Sequence, residues 1–179
     1  MNPLEYIMSV VFRLSRRIHL NRLFWKGLST KRFTDYFKGF EKVDSVKRLF
    51  GDRTEEVLGN LKVEFTWFGY MGVDNTDGHL MVNERYLSRG DKTEIYLDVV
   101  HELCHVKQWI EGKELFDPEY EYVDRPTEVD AYRYTVQEAK RLGLSDKQIL
   151  QYLKTEWMSE QDLKRLARNI GFEFSLDSS

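Results

Sequence analysis

The stretch Val99-Val100-His101-Glu102-Leu103-Cys104-His105-Val106 sets two histidines four residues apart, with a glutamate beside the first. On a helix, residues four apart lie one above the other on the same face. His101 and His105 would then present two imidazoles to a single point. Neutral imidazole nitrogens are good zinc ligands, and an adjacent carboxylate can take a proton from a water molecule at the same place. H-E-x-x-H is therefore the arrangement of a catalytic zinc site, with Glu102 as its general base.

The flanking residues predict a helix around the motif. Asp91-Lys-Thr-Glu94 reads as a helix start with a capping-box acid three residues on. Ile95, Leu97, Val99, Val100, Leu103, Val106, Trp109 and Ile110 keep one side apolar, and Gly112 supplies a stop. Cys104 lies roughly 100° round the helix from the histidine pair and reads as a buried, inert thiol. Asp98, one turn before His101, can either orient an imidazole or face solvent.

A catalytic zinc site needs a third protein ligand and one position left for water. No histidine follows His105. That excludes every pattern with a downstream third histidine, including H-E-x-x-H-x-x-G-x-x-H. Gln108 stands at that pattern's glycine and Glu111 at its last histidine, so the helix should continue and carry Glu111 off the histidine face. His79, upstream beside a turn, ranks below the acids. Glu128 is the preferred ligand. It lies in the first turn of a helix opened by Pro126, precedes the small Ala131, and shares a face with Tyr132 and Thr135. Asp130 lies about 200° round from it, as the competing ligand or as a hydrogen-bonding support. An oxyanion formed in acyl transfer needs a further donor; Tyr120, Tyr122 and Tyr132 are available, and the sequence does not choose among them.

A strand and turn leading into H-E-L-x-H, with a separate helix supplying a glutamate, resembles the gluzincin metallopeptidases, and among compact relatives the ImmA/IrrE-like proteases. The resemblance rests on Leu80–Asn83 before the motif and on Glu128-Val-Asp130-Ala131 after it, and covers about residues 61–142. The Leu-Met-Pro-like end of that family's glutamate helix is replaced here by Gln137-Glu-Ala-Lys-Arg141. The resemblance implies a zinc peptidase fold holding one Zn2+ on His101, His105 and Glu128, with Glu102 as base.

The elements that must position these residues follow from periodicity. Phe33, Tyr36, Phe37 and Phe40 recur at helical spacing, with Lys31, Arg32 and Lys38 among and beside them. Such a pattern serves either a core stripe or nucleic-acid stacking, and the core is favoured. Two short helices follow, near residues 44–51 and 52–59. Val63, Phe65 and Trp67 then alternate with polar residues as a half-buried strand, residues 74–78 are turn chemistry, and residues 79–83 read as the return strand. After an acidic loop, the glutamate helix runs to Gly143, Ser145 opens a short helix through Leu153, and Ser159 opens the last. The expected fold class is α+β: a zincin-like domain with a small antiparallel sheet packed on the motif helix and a glutamate helix. Its divisions would be a helical basic segment at 1–60, the catalytic core at 61–143, and C-terminal helices at 144–179.

At 179 residues, 41% hydrophobic and 32% charged, the chain is long enough for a core without staples. Its single cysteine excludes an internal disulfide framework and suits a cytoplasmic, reducing compartment. No apolar run reaches membrane-spanning length. The arginines follow the first apolar run, which argues against a secretory signal. Residues 1–50 hold eleven Lys/Arg against four Asp/Glu, while the remainder holds sixteen against twenty-six. Residues 3–18 fit a basic amphipathic helix. The expected function is a zinc metallopeptidase acting on a protein or peptide substrate. The alternative is a regulatory metal-binding module whose basic N-terminal third engages nucleic acid, membrane or an acidic protein.

Overall fold

The computed structural model describes residues 30–173. The helix expected over residues 3–18, the break at 21–28 and the tail from Ser175 lie outside the described residues. The chain is α+β and divides into two units, Met1–Ile95 and Tyr96–Ser179, each taken by itself below.

The first unit runs β1 (Lys31–Arg32), α1 (Phe33–Tyr36), α2 (Asp44–Phe50), α3 (Thr54–Asn60), β2 (Lys62–Thr66), β3 (Met71–Val73), β4 (Leu80–Asn83) and α4 (Glu84–Arg89). The aromatic spacing at 33–40 gives only one α-turn. Gly39, at φ 92°, then turns the chain into a short 3-10 helix, a conformation that costs glycine least. The rings converge all the same, with Phe33 4.9 Å from Phe37 and 5.7 Å from Phe40. Phe33 and Phe37 are buried and serve the core, while Tyr36 is 50% exposed.

The sheet order is β1-β2-β4-β3. It is mixed, which corrects the expected antiparallel sheet: β2 and β4 are parallel, with Val63 opposite Leu80 and Phe65 opposite Val82. The return strand pairs antiparallel with β3, which the sequence reading had passed over. Three residues with a glycine at the centre are too short to show a two-residue period. Trp67 also departs from expectation. The strand ends at Thr66, one residue before it, and Trp67 is 64% exposed. His79, at the foot of β4, is buried between two carboxylates, its Nε2 3.0 Å from Glu64 and its Nδ1 on Asp77. Asn83 caps α4 by accepting from the Arg85 and Tyr86 backbone amides.

Helix α5 (Lys92–Ile110) starts as expected. The Asp91 carboxylate accepts from the Thr93 and Glu94 backbone amides at 2.8 and 3.1 Å. It stops where Gly112 takes φ 75° and the Lys113 amide donates to the Gln108 carbonyl at 2.9 Å, closing the C-terminal carbonyls. In the second unit α6 (Pro126–Arg141), α7 (Asp146–Leu153) and α8 (Glu160–Ile170) follow. Ser145 forms the capping box with Gln148 that its sequence predicts, and Ser159, expected only to open the last helix, forms a second with Asp162. Leu97, Tyr132, Val136, Ile149, Leu153 and Leu166 share one core.

Polar cross-links fix the helices of this unit against one another. Tyr96 donates to buried Glu138 at 2.6 Å, and Glu138 also accepts twice from Arg141. Asp98, half-buried, accepts from the Tyr152 hydroxyl at 3.0 Å and so joins α5 to α7. Among the described residues no helix is long and apolar enough to cross a membrane.

Candidate metal centre

Helix α5 brings His101 and His105 onto one side, both buried, with ring centroids 4.8 Å apart. Helix α6 brings Glu128 to the same point from its first turn, 4% exposed. The Nε2 atoms of the two histidines stand 3.1 Å apart, and Glu128 Oε2 lies 3.4 Å from each. These three atoms make a nearly equilateral triangle. In a tetrahedral site with bonds of about 2.0–2.1 Å, neighbouring donors stand roughly 3.3–3.4 Å apart. The observed edges match that spacing. Glu128 Oε2 is buried and accepts no hydrogen bond, a costly state for a carboxylate oxygen unless a cation meets it. The donor set and its spacing therefore fit a small divalent ion.

The charges are balanced within the cluster. Burial disfavours the imidazolium of His105, but the Glu128 carboxylate, helped by Glu102 and Gln108, outweighs it and lifts the group to about 9. Burial also works against the Glu128 anion. The facing imidazoles, His105 first, overcome it and hold the carboxyl well below the usual carboxylate range. Glu102 is half-buried on the helix turn of His101, and its charge reaches His105.

The structure separates the other sequence candidates. Asp130 is off the cluster, a correction to its standing as alternative ligand or support. It is about half exposed and pairs with Arg133 at 2.8 Å, because the first turn of α6 is regular and swings it to the opposite side. Tyr132 lies on the cluster side. Its ring centroid is 4.4 Å from that of His101 and its hydroxyl is 2.8 Å from that of Tyr122. Tyr120 is 43% exposed on the loop. Glu111 turns outward to Lys107 and Lys113. Cys104 is buried, and desolvation pushes its thiol up, away from reactivity.

Two residues escaped the sequence reading. Gln108 is 4% exposed and faces His105 Nδ1 through Oε1 at 2.8 Å, while its Nε2 donates to the Thr127 carbonyl at 2.9 Å. A backbone carbonyl only accepts, so the amide nitrogen must face Thr127 and the amide oxygen must face His105. His105 Nδ1 must then carry the proton, which leaves Nε2 as the nitrogen able to ligate. Thr127 in turn donates to the Leu115 carbonyl at 3.0 Å. The second residue, Arg125, reaches Glu128 Oε1 at 3.8 Å. In sequence Gln108 announces itself only by its i+3 position on the histidine face.

Gln108→Leu removes both hydrogen bonds at similar volume and frees the imidazole orientation. Zinc affinity, measured by chelator competition, is expected to fall about 10–100-fold. Wild-type affinity in that variant would reduce the amide to packing.

The chain matches no protein-family model, no curated protein and no solved structure.

Proposed function

We propose that this chain is a zinc-dependent metallopeptidase. The observation that carries the proposal is the buried triangle of His101 Nε2, His105 Nε2 and Glu128 Oε2, with edges of 3.1, 3.4 and 3.4 Å. Its support is the resemblance of H-E-L-x-H and the glutamate helix to the gluzincins, the compact ImmA/IrrE-like group above all. A zinc ion held there would supply Lewis acidity toward a peptide carbonyl and toward water.

The chain's own residues do the rest. Glu102, on the helix turn of the ligands, accepts the proton of the attacking water and returns it to the leaving amine. Gln108 holds His105 in the ligating tautomer. The hydroxyl pair of Tyr122 and Tyr132, beside His101, supplies the donor for the developing oxyanion.

Metal analysis of the purified full chain tests the site before any substrate is known. About one zinc per chain is expected in the wild type. His101→Ala and His105→Ala are each expected to lose most of it while keeping their helical circular dichroism. Zinc retained in both variants, or none in the wild type, would overturn the proposal. Hydrolysis of a fluorogenic peptide library by the zinc-loaded protein then separates an enzyme from a module that only binds metal.

A further inference from the structure

We infer that Arg125 is a positioning residue that divides the Glu128 carboxylate between two partners, an inference that rests on the metal site proposed above. Oε2 faces both imidazoles at 3.4 Å, while Oε1 lies 3.8 Å from Arg125 Nη1. The Arg125 side chain is 13% exposed. It is held from the loop side as well: its Nε donates to the Asp117 carbonyl at 3.4 Å, and its guanidinium lies over the Phe116 ring at 6.0 Å. The cation is thus pinned against the one ligand oxygen that the histidines do not use.

The position of Arg125 in the chain is a second, independent observation. It is the N-cap of α6, with extended backbone and no side-chain cap hydrogen bond. Serine, threonine, aspartate and asparagine favour that position, and a cation opposes the positive end of the helix dipole there. Arg125 is unfavourable on both counts and is nonetheless fixed by three contacts. Departures from local consistency of this kind mark functional positions.

A charge so placed has two consequences for an ion at the cluster. With Oε1 held by the guanidinium, Glu128 offers the ion one oxygen, so positions remain for water and a substrate carbonyl. The guanidinium also draws electron density from the carboxylate, and the ion keeps more of its Lewis acidity. Removing Arg125 frees Oε1 to turn inward, so that the carboxylate grips through both oxygens.

Co2+ reports ligand number through its visible bands, which are intense with four ligands and weaken as the number rises. Wild type, Arg125→Met, Arg125→Lys and His101→Ala are each titrated as full-length protein with Co2+. The wild type is expected to give the intense four-ligand bands, and His101→Ala to lose them. Arg125→Met should show weaker bands and tighter binding than wild type, with Arg125→Lys between the two. A wild-type spectrum and affinity in Arg125→Met overturn this inference and leave the zinc site standing. Failure of the wild type to bind Co2+ or zinc overturns the site itself. Should Arg125→Met lose its helical circular dichroism, Arg125→Lys decides: bands shifted in the same direction support the role, and bands identical to wild type overturn it.

Discussion

Replacing Glu102 by glutamine is expected to slow peptide hydrolysis by about 10²–10⁴-fold while zinc content stays at the wild-type level. Glutamine matches the shape of glutamate but cannot accept a proton at neutral pH. The substitution leaves His101, His105 and Glu128 in place, and Glu102 shares α5 with the two histidines without belonging to the triangle. A loss of activity accompanied by a loss of metal would signal a collapsed site. A loss with metal retained isolates the proton transfer. Single-turnover rates on a fluorogenic peptide, with metal analysis on the same sample, make the distinction. Activity within a few-fold of wild type would mean that another group takes the proton.

Zinc affinity is expected to climb about tenfold per pH unit between roughly pH 6.5 and 9. The sign follows from the cluster's own charges. His105 is lifted from 6.5 to about 9, with burial opposing the lift and Glu128, Glu102 and Gln108 driving it. Below that value the Nε2 proton occupies the position a metal needs and must leave on uptake. Glu128, held well below its usual range, stays ionised throughout this window and adds no slope.

The metal-free protein responds in the opposite direction. A group whose pKa rises on folding stabilises fully below its unfolded value, and that contribution fades as pH passes the folded value. The thermal midpoint of chelator-treated protein should therefore fall between pH 6.5 and 9. Calorimetry in two buffers of different ionisation enthalpy should register about one proton released per zinc at pH 7.5. Affinity that stays flat across the window would refute the proton competition.

Much of the centre was legible because its signals are local. His101 and His105 are i and i+4, and nothing but helix geometry is required to bring them together. Glu128 stood out by its place in the first turn of a helix and by the small Ala131 after it, while Asp130 stayed open as its competitor until the structure paired it with Arg133. Gln108 and Arg125 were missed for a shared reason. Each sits three residues from a residue of the triangle, but what fixes it there is a backbone carbonyl of another segment, Thr127 for Gln108 and Asp117 for Arg125, and a carbonyl leaves no letter in the sequence. The sheet failed differently. The parallel pairing of β2 with β4 depends on where the three residues of β3 go, and Met71-Gly72-Val73 carries almost no period to say so.

The relay from His105 through Gln108 to Thr127, and on to Leu115, crosses from α5 to the first turn of α6 and back to the loop that joins them. The centre is consequently not portable as a motif. An eight-residue graft into a foreign helix would carry two imidazoles and a carboxylate but leave their wiring behind. The smallest transplantable piece is the whole stretch from Lys92 to Arg141, which holds the three proposed ligands, the amide that orients one of them and the carbonyl that holds the amide.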